Sequence, residues 1–141
     1  MEPDGKQFRE AMRAFVGNCS VITVGDGDEA TGLVVMSAIS VSADPPLLLA
    51  CVNRAGSSHA LLERCGRFGW SSLGRAHQPV AERFSGFGGV KGVARYEGAD
   101  WETAATGARL LVGAPVAFDC AVEEMIARET HSILIGRVKA I

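Results

Sequence analysis

The chain reads as a mainly β protein, an antiparallel barrel with a few short helices, on three observations. Val116, Phe118, Cys120 and Val122 alternate with Ala117, Asp119, Ala121 and Glu123, the period-two pattern of a strand with one buried face. Leu47 to Val52 is apolar throughout, as expected of a strand buried on both faces. The remaining apolar segments are joined mostly by short connections without regular strand–helix alternation, which excludes a βαβ architecture and favours a barrel with helical inserts.

Taken in order, Asp4 and Gln7 form a capping box that opens a helix. Phe8, Met12, Phe15 and Val16 recur at helical spacing on one apolar face, and Gly17 and Asn18 end it. Val21 to Val24 is a strand, Gly25 to Glu29 a tight polar turn, and Thr31 to Ser42 one long strand pairing back. After the corner Asp44-Pro45-Pro46 comes the apolar strand Leu47 to Val52. Ser57 or Ser58 is placed to cap a short helix carrying Leu61, Leu62 and Cys65, closed by Gly66. Phe68 to Leu73 is another strand. Pro79 suits the first turn of a helix that sets Val80 and Phe84 on one face. Ser85 to Gly92 is a loop containing four glycines, Val116 to Glu123 a strand, and Ser132 to Ile141 the closing strand. Trp70 and Trp101 are expected in core or subunit packing.

A chain of 141 residues, read as one domain over residues 1–141, is long enough to bury a substantial core. Its formal charge of −2 offers no general attraction for nucleic acid or anionic lipid. No apolar stretch approaches the roughly 20 residues that cross a bilayer, and the start lacks signal-peptide character, so a cytoplasmic protein is expected. Cys19, Cys51, Cys65 and Cys120 form no CxxC pair and sit among apolar neighbours, where a thiol behaves as a small hydrophobe. His59, His77 and His131 are far apart, so no metal is expected.

Several tempting motifs fail on context. Gly25-Asp26-Gly27-Asp28-Glu29-Ala30 matches a dinucleotide fingerprint, but a strand follows it and three carboxylates occupy the place of a pyrophosphate. Lys91 precedes Gly92 and not a hydroxyl residue, so there is no phosphate-binding P-loop. Glu123 and Glu124 are strand neighbours and are expected on opposite faces, which disqualifies them as a carboxylate pair. With no visible nucleophile, metal site or acid–base dyad, an enzyme of this kind takes its chemistry from a cofactor.

The run from Gly32 to Leu62 carries most of the functional information. Two apolar strands lead into Asn53, Arg54, Ser57 and Ser58 at a helix entrance, where free N–H groups and the helix dipole favour an anion. The arrangement suits a flat ligand with a phosphorylated tail, although strand, turn and helix in this order is also a common structural unit.

The same run resembles the flavin reductase-like family, small reductases that supply reduced flavin to two-component monooxygenases. The resemblance rests on Gly32, Ser37, Ser40-Val41-Ser42, Asp44-Pro45-Pro46, Cys51-Val52-Asn53-Arg54 and Ser57-Ser58. It is extended by Phe8-Arg9-Glu10-Ala11-Met12, Gly66-Arg67-Phe68, Ala81-Glu82-Arg83-Phe84, His131 and Ile135-Gly136-Arg137-Val138, in the family's order. Three positions depart from the pattern: Val34 stands where threonine is frequent, Met36 where a small polar residue is common, and Ala38 in place of an aromatic residue.

The resemblance implies an FMN-binding split β-barrel of Greek-key type, homodimeric, with flavin near the subunit interface. It implies hydride transfer from NADH or NADPH to FMN or FAD across stacked rings about 3–3.5 Å apart. A flavin-dependent monooxygenase component is the implied recipient. Val34, Val35, Met36, Ser37 and Ala38, with Ala50, Cys51, Val52 and Asn53, are expected to hold the flavin. Arg54, Ser57 and Ser58 are expected on its phosphate, Arg83 on a phosphate or pyrophosphate, and His131 beside the nicotinamide as the catalytic-site histidine. Two rival expectations remain: a flavin-binding electron carrier without turnover, and an oxidase of the related pyridoxamine-phosphate type, which the DPP and CVNR segments disfavour.

Overall fold

The structure is a computed structural model and describes residues 1–141. Helix α1 (Gly5–Met12) is followed by β1 (Ser20–Val24), β2 (Thr31–Val35), β3 (Ile39–Ala43) and β4 (Pro46–Asn53). Next come α2 (Ser57–Cys65), β5 (Arg67–Ser72), α3 (Gln78–Phe84) and the short strands β6 (Trp101–Thr103) and β7 (Arg109–Leu111). The long strands β8 (Ala117–Arg128) and β9 (His131–Ala140) close the chain. No helix is long and apolar enough to cross a membrane.

Seven strands make one antiparallel sheet in the order β2-β1-β5-β8-β9-β4-β3, and β6 and β7 pair separately. Its two edge strands, β2 and β3, are consecutive in the chain and joined only through Met36, Ser37 and Ala38. Laid flat, the edges would stand about 29 Å apart at ~4.8 Å per strand. The four Cα–Cα steps from Val35 to Ile39 span at most about 15 Å. The sheet therefore curls until its edges meet, which makes the expected split barrel.

That closure corrects the expectation of one strand over Thr31–Ser42. Residues 31–35 pair with β1 and residues 39–43 with β4, so the chain must leave the ladder at 36–38 to change partner. Side chains hold the break: Asn18 Nδ2 donates to the Ala38 carbonyl at 2.7 Å, and the Cys51 N–H donates to Ser37 Oγ at 2.9 Å. Segment 47–52 is likewise not buried on both faces. Leu48, Ala50 and Val52 point into the core, whereas Leu47, Leu49 and Cys51 are half-buried.

Asp119 departs from the alternation in the opposite sense. It is fully buried, and its carboxylate accepts hydrogen bonds from the Thr106 N–H and hydroxyl, anchoring the loop between β6 and β7. A bulge between Val122 and Glu124 interrupts β8, leaving Glu123 outside the register to pair with Arg137 at 2.9 Å. The first helix is shorter than its apolar spacing suggests, ending at Met12, and none of its residues is buried.

Two apolar clusters flank β1, which explains why all five of its residues are buried. Ile22 and Val24 join Leu48, Val52, Phe68, Trp70 and Leu134 in the barrel interior, into which α2 inserts Leu62. Val21 faces an outer cluster where Phe84, Tyr96 and Trp101 pack as tilted and edge-on rings 4.9–5.4 Å apart. Tyr96 Oη donates to the Thr31 carbonyl at 2.6 Å, and burial raises its phenol above the usual range.

Gly32 sits where these layers converge. A Cβ there would lie 2.6 Å from Phe84 Cε1 and closer still to the Ile22 carbonyl oxygen. Its backbone approach holds α3 against the hairpin. Gly32→Ala is therefore expected to destabilise the fold by about 1–3 kcal/mol, the usual cost of overpacking. Urea denaturation should show a lower midpoint with an unchanged slope; a wild-type midpoint would refute this packing role.

Candidate functional site

Closing the barrel opens an apolar cavity of about 670 Å³ at the seam between β2 and β4. Of the residues singled out in the sequence, Val34, Val35, Met36, Ser37, Cys51, Asn53 and His131 line it together. β2 and its exit supply the first four and β4 the next two. His131 opens β9 directly opposite Asn53 in the antiparallel register. Leu33 completes the wall, and Phe8, Met12, Phe15 and Gly17 of the N-terminal segment border the mouth. The polar groups Ser37, Asn53 and His131 stand among mainly apolar walls, a composition suited to a flat, partly polar ring system.

A second cavity of about 600 Å³ lies along the same two chain segments. β2 gives Leu33 through Val35 to the first cavity and Thr31 to the second. The β4–α2 connection gives Asn53 to the first and Ala55 and Ser57 to the second. At ~3.3 Å rise per residue, Thr31 lies about 13 Å from Val35, so the pair of cavities suits an elongated molecule.

The second cavity has a more polar and basic lining. Lys91 and Arg95 line it with Glu29, whose carboxylate is already paired with Arg64 at 2.5 Å. Arg95 is locked in place by donating Nη1 to the Gly32 carbonyl at 2.6 Å and Nε to the Val90 carbonyl at 3.2 Å. Thr31 is only 3% exposed, and its Oγ1 has no hydrogen-bond partner in the protein. An unpaired buried hydroxyl costs about 1–3 kcal/mol, and here it lies behind the cavity wall.

The other expected site residues lie elsewhere. Ala38, Ala50 and Val52 belong to the barrel core. Ser57 lines the second cavity, but Ser58 is buried within α2. Neither serine is the helix N-cap: Gly56 holds that position without a side-chain bond, and Asn53 Oδ1 instead accepts from the Ala55 N–H at 2.9 Å. Arg54 donates Nη1 to the Glu129 carbonyl at 3.0 Å. Arg83 is drawn to the opposite side of the turn, donating to the Ala94 carbonyl and to Glu97 at 3.3 Å.

Sequence reasoning passed over Thr31, Lys91 and Arg95. A lysine within a four-glycine loop was the available signal, but only the fold brings that loop to the α2 entrance. It also did not anticipate that the apolar stripe of the first helix would face a cavity mouth. Among the thiols, Cys51 reaches the apolar cavity, whereas burial and the neighbouring Asp119 carboxylate push Cys120 up to about 12. Burial raises Cys19 as well, so neither of these two serves as a thiolate.

Residues 12–141 match the flavin reductase like domain. The chain is 37% identical to the FMN reductase (NADH) RutF 2 of Methylorubrum extorquens over 134 residues, covering 95% of this chain and 77% of that protein. Among solved structures, the flavin reductase component of a bacterial two-component tryptophan halogenase, BorF, superimposes with a TM-score of 0.86 at 33% identity. That match covers 97% of this chain and 86% of the other. The NADH:FAD oxidoreductase of Streptomyces globisporus C-1027 superimposes with a TM-score of 0.87 at 30% identity, covering 99% of this chain and 84% of that one.

Proposed function

The chain belongs to the flavin reductase-like domain family, and from that premise we propose that it is an NAD(P)H:flavin oxidoreductase supplying reduced FMN or FAD to a partner monooxygenase in the cytoplasm. The observation that carries the assignment to this chain's own site is the pairing of an apolar cavity with a basic one along the same strand and turn. A flavin, when bound, supplies the hydride acceptor. The protein's task is then to seat a flat ring, hold a charged tail and admit a nicotinamide.

Val34, Val35, Met36 and Cys51 give the ring apolar walls, and Ser37 and Asn53 give it polar edges. Because Val34 and Met36 carry no hydroxyl, polar contacts from β2 fall to Ser37 and the backbone. The phosphate belongs with Ser57 and Lys91, where Arg95 adds a fixed positive charge. His131 borders the apolar cavity on β9, and its imidazole is read as orienting the nicotinamide. Hydride transfer requires no general base, so the absence of an acid–base dyad agrees with this chemistry. The electron-carrier alternative is disfavoured because the relatives are named as reductases.

The same reading includes a homodimer. Phe8, Phe15 and Met36 are 60%, 67% and 59% exposed and gather at the cavity mouth, while Ile39 and Val41 lie exposed on edge strand β3. Such a patch around a ligand cavity calls for a cover, and a second copy placed there would enclose the flavin.

Three measurements test these statements. Protein mixed with excess FMN and NADH should consume many equivalents of NADH per subunit; a single stoichiometric bleach would establish a carrier instead. Light scattering at micromolar concentration should return twice the chain mass, and a single-chain mass with flavin present would refute the dimer. Lys91→Ala should weaken FMN binding about ten- to a hundredfold, because a charged hydrogen bond contributes ~1.5–3 kcal/mol and ~1.4 kcal/mol is one decade. Riboflavin, which lacks the phosphate, should bind the variant as it binds wild type. An equal loss for both ligands would move the phosphate away from Lys91.

A further inference from the structure

Arg54 is the one Lys or Arg in the run from Gly32 to Leu62, and by sequence alone it is expected on a phosphate at the α2 entrance. The fold directs it elsewhere. It does not line the basic cavity; its backbone N–H donates to the Thr130 carbonyl at 3.0 Å, and its guanidinium Nη1 donates to the Glu129 carbonyl at 3.0 Å. One residue thus grips both members of the two-residue turn joining β8 to β9.

Glu129 is the only non-glycine residue with positive φ, at 52°, a left-handed conformation that crowds a side chain. Such a conformation persists where its surroundings hold it. The residue after the turn is His131, whose Nδ1 lies 2.8 Å from Thr130 Oγ1, leaving Nε2 without a protein partner. His131 also faces Asn53, the neighbour of Arg54, across the β4–β9 ladder. Arg54, Glu129, Thr130 and His131 therefore form a short mechanical chain that ends at the cavity wall.

We infer that Arg54 is a positioning residue for His131, fixing the turn from which the imidazole reaches the nicotinamide side of the cavity, and is not a phosphate ligand. The inference rests on the reading of His131 given above. It requires only that the guanidinium hold the Glu129 carbonyl, a contact an ammonium can partly reproduce.

The test compares Arg54→Ala, Arg54→Lys, His131→Ala and the double variant Arg54→Ala/His131→Ala as full-length protein. NADH steady-state kinetics are measured with saturating flavin, and FMN and riboflavin affinities by fluorescence titration. Arg54→Ala should lower kcat/KM for NADH about five- to tenfold, with FMN and riboflavin affinities within twofold of wild type. Arg54→Lys should recover at least half of that loss on a logarithmic scale. In the His131→Ala background, Arg54→Ala should cost less than a further twofold. In labelled protein, the His131 imidazole resonances should move in Arg54→Ala while those of His77 stay.

A selective loss of FMN over riboflavin in Arg54→Ala would restore the phosphate role and overturn the inference. Additive losses in the double variant, or unmoved His131 resonances, would also overturn it. Wild-type kinetics in His131→Ala would instead sink the underlying reading of that histidine, and the role of Arg54 with it. Impaired His131→Ala beside unimpaired Arg54→Ala would sink only the role of Arg54.

Discussion

Between Val35 and Ile39 the chain stops pairing with β1 and begins pairing with β4, and most of the site depends on that change of partner. Three residues are too few to join the edges of a flat seven-stranded sheet, so the sheet has to curl. Curling brings β2 beside β4 at the seam without continuous ladder hydrogen bonds between them. The seam is consequently a place where side chains and a ligand can lie between strands. Ser37 and Asn18 satisfy the backbone groups released at the break, the Cys51 N–H and the Ala38 carbonyl. Without those two contacts, opening the seam would expose unpaired donors and acceptors to an apolar cavity. Met36 meanwhile remains directed to the cavity mouth.

The electrostatics of the site follow from where the glycine loop lands. Lys91 has no sequence neighbour that would mark it as a ligand residue, yet the outer aromatic cluster fixes the segment that carries it. Tyr96 is tied to the Thr31 carbonyl and Arg95 to the Gly32 carbonyl, so β2 and the loop move as one unit. Phe84, packed against Gly32, locks α3 to the same unit. The resemblance placed Arg83 near a phosphate, but its Nη2 donates to the Ala94 carbonyl and Glu97 within this brace, and its buried Nε has no protein partner. The basic cavity is thus assembled by structural contacts that lie one layer away from it. Its free polar atom, Thr31 Oγ1, belongs to a residue whose backbone is already committed.

Local features were legible from sequence where one force dominates. The capping box at Asp4, the Gly66 stop to α2 and Pro79 in the first turn of α3 all follow from backbone chemistry and occur as expected. The hairpin around Gly25–Glu29 was readable for the same reason. The break at 36–38 was not, because Met36, Ser37 and Ala38 are weaker strand formers than the flanking Val and Ile but include no glycine or proline to mark a stop. Only the need to reach the far edge of the sheet ends the strand there. Asp119 was misleading in the same way: a carboxylate at an alternate position signals solvent, but Thr106, thirteen residues earlier, turns the position into a buried anchor. Of the apolar cavity's lining, Val34 to Ser37, Cys51, Asn53 and His131 had been singled out through family resemblance. Thr31 and Arg95 carry no local mark and Lys91 only its glycine-rich setting, since all three meet through tertiary proximity.

The exposed first helix belongs to the same physical account. Phe8 and Met12 lie one turn apart, so the apolar stripe is genuine, yet no part of the barrel buries it. A capping box and a short run of good helix formers stabilise the helix locally, but eight residues are too few to be stable in water without a packing partner. The stripe instead borders a cavity whose remaining walls are apolar and whose mouth is open. A bound ring would offer one surface to that stripe, and a second copy of the chain would offer another. A cover over the mouth would supply the packing that the helix lacks, and an ordered helix would in turn exclude water from the cavity. A flavin held here would supply the hydride acceptor, and Phe8, Met12 and Phe15 at the mouth would serve to keep water away from its ring.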